Sequence, residues 1–204
     1  MKRQLAVNEI CLISIFTAMT AVTAQIAIPL PFTPIPISFG MVGIYITGML
    51  LKPSHAVLAQ ICYLLLGSVG APVFANFRGG FAALIGPTGG CLMTYPFMAA
   101  LISFTLNSRH SLRAEKGQGK IALYLKTGAA LCLALCAEYF GGASWLAATT
   151  GTSLDAALGL ICYPFIPLDA VKIIFCVFAL LPFRARLIGM RLLLLDGHHT
   201  IHTT

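Results

Sequence analysis

The chain reads as a succession of apolar runs separated by short breaks, and the runs have the length of membrane-crossing helices. A helix rising 1.5 Å per residue needs about 20 mainly apolar residues to cross roughly 30 Å of hydrocarbon. Six runs meet or approach that length, at 5–28, 37–51, 55–69, 83–106, 121–140 and 165–184. The first is longer than the apolar core of a cleaved signal. It enters Pro29-Leu30-Pro31-Phe32 without a small-x-small cleavage site, so it is expected to remain as a span.

The breaks are as informative as the runs. Pro29, Pro31, Pro34 and Pro36 exclude regular helix and predict a stiff extended loop. Lys52-Pro53-Ser54 predicts a turn, with Pro53 in a helix's first turn, where no N–H is needed. Residues 70–90 hold Gly70, Gly79, Gly80, Gly86, Gly89 and Gly90 with Pro72 and Pro87, too broken for one long helix and too apolar for a solvated linker. Irregular backbone of that kind survives at membrane depth only where protein covers it or it lines a cavity. Residues 141–164 are expected to form a second irregular stretch, containing Trp145 and a short helix at 154–161 capped by Ser153. Residues 107–120 form the one clearly water-loving loop. Residues 190–204, with His198, His199 and His202, read as a frayed cytoplasmic tail rather than a metal site.

Composition turns this pattern into a fold class. Hydrophobic residues make up 58% of the 204 and charged residues only 9%, against about 25% charged in a soluble domain. The expected architecture is an all-α integral membrane protein of six transmembrane helices with Pro/Gly-rich outward loops, in a single domain. The net charge of +7 does not indicate nucleic acid, because the basic residues sit at the edges of apolar runs and not with aromatics on a polar segment. Six spans put eleven of the thirteen Lys and Arg residues on one side: Lys2, Arg3, Lys52, Arg109, Arg113, Lys116, Lys120, Lys126, Arg184, Arg186 and Arg191. Positive residues mark the cytoplasmic side, so both termini are expected there, in a multi-pass protein of the cell membrane. The seven cysteines all lie in apolar stretches without a C-x-x-C. They suit neither a zinc site nor a disulfide framework.

Candidate chemistry gathers in the outward loops and the spans beside them. Asp169 and Lys172 are three apart and so share a helix face, after Pro164 and Pro167. Charges at membrane depth usually mark a pathway or site, and Asp169 falls in a first turn, where the helix dipole favours an anion. The competing reading is a self-satisfied ion pair that only orients the helix. Asn76 and Arg78 are candidates in the loop after the third run. Glu138, beside Tyr139 in the fifth, is another acid at depth. Gly86-Pro87-Thr88-Gly89-Gly90 is not a phosphate loop, since no G-x-x-x-x-G-K-[ST] occurs. It reads as a place of close helix or ligand approach. An intramembrane enzyme would need a nucleophile–base pair or a metal cluster, and the runs offer neither. In the first run Ser14/Ala18, Thr17/Ala21 and Thr20/Ala24 are small-x-x-x-small pairs, a surface on which another helix can pack closely.

Four motifs in order, Pro31-Phe32-Thr33-Pro34-Ile35-Pro36-Ile37, Gly70-Ala71-Pro72-Val73-Phe74-Ala75, Gly86-Pro87-Thr88-Gly89-Gly90 and Pro164-Phe165-Ile166-Pro167-Leu168-Asp169-x-x-Lys172, resemble the BioY family. BioY proteins are the biotin-binding S components of energy-coupling factor (ECF) transporters. The resemblance implies a six-helix membrane subunit that captures extracellular biotin as transported ligand, without a cofactor. An S component for another small vitamin is the alternative within the class. The implied partners are biotin, the lipid bilayer, and an ECF coupling subunit with its ATPases. The implied binding set is Asn76, Asp169, Lys172, Phe74, Tyr163, Gly89, Gly90 and Arg78. Ser14, Ala18 and Ala21 are the implied docking face for the partner. Asp169 and Asn76 suit the ureido edge. Lys172 could pair the valerate carboxylate or hold Asp169 ionised, and the sequence leaves both open. Cys91 and Leu168 stand where the family pattern suggests an aromatic and a glycine, and the first run lacks a clean Ala-x-x-x-Ala.

Overall fold

The structure is a computed structural model that describes residues 7–29, 31, 35–108 and 120–189. The Phe32-Thr33-Pro34 segment, the basic loop at 109–119 and the His-rich tail lie outside the described residues, as do Lys2, Arg3 and Arg191. The fold is mostly helical. Its elements are α1 (Val7–Gln25), β1 (Ala27–Ile28), β2 (Ile37–Ser38), α2 (Gly40–Leu50), α3 (Pro53–Ser68), a 3-10 turn (Ala75–Phe77), α4 (Phe81–Ile85), α5 (Gly89–Leu106), α6 (Lys120–Thr150), α7 (Leu154–Cys162), α8 (Ile166–Phe175), a wider π turn (Cys176–Leu180) and α9 (Leu181–Gly189). Helices α8 and α9 continue each other through the π turn as one rod. Among the described residues, four helices are long and apolar enough to cross a membrane: Val7–Gln25, Gly89–Leu106, Ile121–Thr150 and Ile166–Leu187.

Helix α2 explains how so apolar a chain is organised. Ten of its eleven residues are buried, and a helix apolar all round belongs in an interior. It packs against α1, α3, α5 and the α8–α9 rod. The outer helices turn large side chains such as Val22, Leu65, Phe97, Phe104, Leu125 and Phe178 outward, where they are exposed. Contiguous apolar surface of this kind is rare on a soluble monomer and is what lipid solvates. Buried threonines in the helices satisfy their hydroxyls internally, as Thr20 Oγ1 donates to Phe16 O at 2.9 Å and Thr127 Oγ1 to Leu123 O at 2.8 Å.

Several boundaries differ from the sequence expectation, each for a local reason. The run at 83–106 is two helices, because Pro87 has no N–H and interrupts the ladder; at the break Gly86 O accepts from Gly89 N at 3.0 Å and from Trp145 Nε1 at 2.9 Å. The run at 121–140 continues unbroken to Thr150, so Trp145 is helical and not in an irregular stretch. Gly141 and Gly142 do not end the helix; they let it lie against Thr94 and Cys91 of α5, whose side chains a Cβ at either glycine would strike. The proline-rich loop closes with a two-residue antiparallel pairing, Ala27 opposite Ser38 and Ile28 opposite Ile37. Pro53 does open α3, and Ser153 does cap α7, its Oγ accepting from Ala156 N at 3.4 Å.

Candidate functional site

At the end of the bundle where α2, α5 and α8 begin, a cavity of about 760 Å³, counted out to its open mouth, lies between the elements. One wall is Ile35, Pro36, Ser38 and Met41, from the segment entering α2. Phe74, Ala75 and Arg78 come from the turn after α3, and Ala83 from α4. Thr88, Cys91, Leu92 and Tyr95 come from the start of α5. Glu138 and Tyr139 of α6, Ile161 of α7, Phe165, Asp169 and Lys172 complete it.

Asp169 is the hub. Its Oδ1 lies 2.8 Å from Lys172 Nζ, and its Oδ2 accepts from Tyr139 Oη at 2.6 Å. Lys172 Nζ also donates to Ser38 O at 2.8 Å and stands 5.5 Å from the centre of the Phe39 ring. Asp169 is 1% exposed and Lys172 4%, so each charge depends on the other and on these neutral partners for compensation. The cluster joins three elements: the Asp169 carboxylate ties α8 to α6 through Tyr139, and the Lys172 ammonium ties α8 to the end of β2 through Ser38 O.

The turn after α3 is held with comparable care. Phe74 is buried; its ring lies edge-on to Tyr63 at 5.4 Å and occupies the space a side chain on Gly67 would need. Phe74 N donates to Arg78 O at 2.9 Å. Between them Asn76 and Phe77 both adopt left-handed backbone, with φ of 59° and 56°. Asparagine tolerates that region, whereas a bulky aromatic there is uncommon. The Phe77 N–H is held by Gln25 Oε1 at 2.9 Å, and Gln25 Nε2 donates to Pro72 O at 3.3 Å. The last residue of α1 thus ties down the loop that forms one cavity wall.

Of the residues expected from sequence, the structure brings Asp169, Lys172, Phe74 and Arg78 together around the cavity. Asn76 sits between lining residues but does not itself line the cavity. Tyr163 is 80% exposed and turns away. Gly89 and Gly90 are buried and serve packing: a Cβ on Gly89 would strike Leu84 O, and one on Gly90 would strike Trp145 of α6. Ser14 and Ala18 are exposed on α1 and Ala21 is half-buried, while Thr17 turns inward and donates to Ala59 O at 3.0 Å. Sequence reasoning missed Ser38, which contributes only a backbone carbonyl. It also missed Tyr95, and it gave Tyr139 no role beyond its place next to Glu138.

An apolar helical bundle with a polar-centred cavity at one end defines a multi-pass membrane protein that holds a small molecule. The chain belongs to the BioY family, whose model matches residues 1–188. It is 33% identical to the probable biotin transporter BioY of Pyrococcus horikoshii over 165 residues, 81% of this chain and 89% of that one. It is 33% identical to the biotin transporter BioY2 of Lactococcus lactis subsp. cremoris over 178 residues, covering 87% and 91%. A crystal structure of the S-component for biotin from an ECF-type ABC transporter superposes with a TM-score of 0.75 at 27% identity, covering 91% of this chain and 95% of that one. These relatives are transporters or transporter subunits, not enzymes.

Proposed function

We propose that this protein is the biotin-capturing S component of an ECF-type transporter. The observation that carries the reading is the buried Asp169–Lys172–Tyr139 cluster facing an otherwise apolar cavity, in a chain whose relatives are named for biotin. Biotin offers an apolar bicyclic body for Phe74, Leu92 and Phe165, and a ureido group whose N–H donors suit a carboxylate. Asn76 joins the site as its turn closes over the ligand. Lys172 acts by holding and orienting Asp169, to which it donates at 2.8 Å.

The same reading places six spans in the cell membrane. The four long helices are joined by α2 and α3, which are shielded or half-shielded by neighbours and so tolerate lengths of about 16 and 24 Å at 1.5 Å per residue. Lys52, Lys126, Arg184 and Arg186 all lie at the helix ends remote from the cavity, which supports cytoplasmic termini and an outward-facing site. Delivery inward uses an ECF coupling subunit and its ATPases, with the exposed Ser14–Ala18 face of α1 and neighbouring Ala21 as the docking surface. Binding of labelled biotin to the purified protein in detergent tests the proposal. Native protein should bind saturably and Asp169→Ala should not; normal binding by folded Asp169→Ala would reject the site.

A further inference from the structure

Two carboxyl groups line the cavity, and their situations differ. Both oxygens of Asp169 are engaged, by Lys172 and by Tyr139. Glu138, one residue before Tyr139 on α6, is 7% exposed, and its Oε2 is buried without a hydrogen-bond partner among the described residues. Two donors that line the same cavity are directed elsewhere, Tyr139 to Asp169 and Lys172 to Asp169 and Ser38 O. Three further groups near it can donate, Tyr95 and Cys91 on the cavity wall and the buried Tyr45 hydroxyl, and none of them donates to Glu138 Oε2. A buried acceptor left unpaired is costly, and native proteins rarely keep one without a use. A glutamate that only bound two helices together would have its partner on the neighbouring helix. This one lines the cavity, and its Oε2 is unpartnered among the described residues.

We propose that Glu138 is a second recognition carboxyl, which accepts a hydrogen bond from an N–H of the bound ligand alongside the one that Asp169 takes. The inference rests on the biotin reading above and deepens it. A cyclic urea carries two N–H donors on either side of its carbonyl and so asks for two acceptors. The cavity supplies two carboxyls, from α6 and α8. A ligand held at both donors is fixed in orientation as well as in place, and a ring with one donor blocked loses one of the two anchors.

Equilibrium binding of biotin, and of the two analogues methylated singly at either ureido nitrogen, to native, Glu138→Met, Glu138→Gln and Asp169→Ala protein in detergent tests this. Glu138→Met removes the acceptor and should weaken biotin roughly 5- to 150-fold. It should also abolish the native protein's discrimination against one of the two methylated analogues and leave discrimination against the other. Glu138→Gln keeps a carbonyl acceptor and should fall between native and Met. If Glu138→Met binds biotin as native does while Asp169→Ala does not, the site is right and the role of Glu138 is refuted. If native protein binds no biotin, the biotin reading fails and the inference falls with it. Should Glu138→Met fail to melt cooperatively, Glu138→Gln decides. Weakened biotin binding at unchanged melting temperature supports the proposal, and unchanged affinity for biotin and both analogues overturns it.

Discussion

Replacing Lys172 with methionine separates two roles that a lysine in such a site can have. The side chain is 4% exposed, and its ammonium is committed to Asp169 Oδ1 and Ser38 O, each at 2.8 Å. Methionine keeps the unbranched shape and removes the charge, which strands Asp169 in a buried position. Breaking a buried ion pair from one side costs about 3–5 kcal/mol. The Tyr139 hydrogen bond, which survives the change, places this case toward the lower end. The melting temperature in detergent should therefore fall clearly. Biotin affinity should fall as well, by about 1–3 kcal/mol or roughly 5- to 150-fold, because Asp169 is no longer held in place as an acceptor.

The informative ligand is biotin amide, whose side chain carries no charge. If Lys172 serves Asp169, biotin and its amide lose affinity equally on Lys172→Met. If Lys172 instead meets the ligand carboxylate, the amide binds native protein more weakly from the start and loses little further in the variant. This is a double-mutant cycle with one member on the ligand, and its coupling energy is read directly from four dissociation constants. A coupling above about 1.4 kcal/mol, tenfold in affinity, would refute the role that the two hydrogen bonds assign. The double substitution Asp169→Leu with Lys172→Met separates stability from function. Replacing both partners of a buried pair by apolar groups is often neutral or stabilising, so melting should recover while binding stays lost. Recovery of binding as well would reduce the cluster to structural glue.

Tyr139→Phe removes the 2.6 Å hydrogen bond to Asp169 and should weaken biotin about tenfold or more by equilibrium binding, since hydrogen bonds to charged groups contribute about 1.5–3 kcal/mol. Gly90→Leu forces a side chain into Trp145 and toward Gly141 O on α6; overpacking of this kind costs about 1–3 kcal/mol and should appear as a lower melting temperature, with biotin restoring part of it. On a background without the seven native cysteines, Lys52→Cys should react with an impermeant maleimide only from the cytoplasmic side and Phe77→Cys only from outside; the reverse pattern would overturn the topology.

Most of the helical skeleton was legible because apolar length is a coarse signal that survives local irregularity. The proline signal was read correctly at Pro53, whereas the run at 83–106 was carried through Pro87, where the helix divides. Glycine was read less well. Gly141-Gly142 looked like a break, but a glycine pair inside a helix also permits close packing, and the partner surface, Cys91 and Thr94, lies some fifty residues away in sequence. Gly86-Pro87-Thr88-Gly89-Gly90 read as a place of close helix or ligand approach, and the nearest neighbours of Gly89 and Gly90 are Leu84 and Trp145. Asp169 and Lys172 were legible because a charged pair at helical spacing in an apolar run is costly and therefore conspicuous. Ser38 was not, since what it offers is a carbonyl that every residue possesses. Tyr139 was not either: an aromatic in a membrane helix is common, and only the approach of α8 to α6 gives its hydroxyl a partner.

The cavity has a floor, and the floor bears on how transport must work. On α2 the lining residue Met41 is followed one turn deeper by Ile44 and Tyr45 and then by Met49, the last three with no exposure. On α5 Tyr95 is followed by Met98 and Ile102, and on α6 Glu138 is preceded by Ala134 and Leu131, all equally closed. Beyond them Asn107 Nδ2 donates to Leu51 O at 3.0 Å, and Arg184 donates to Asn107 Oδ1 at 3.0 Å, so the far end is joined by polar bonds across helices. A ligand that enters from the cavity side meets close-packed side chains, and interiors at that density do not pass a molecule by small fluctuations. Release on the other side requires the helices to separate or the cavity itself to be re-presented there. Either rearrangement can proceed thermally, and only accumulation against a gradient by this route needs a source of free energy.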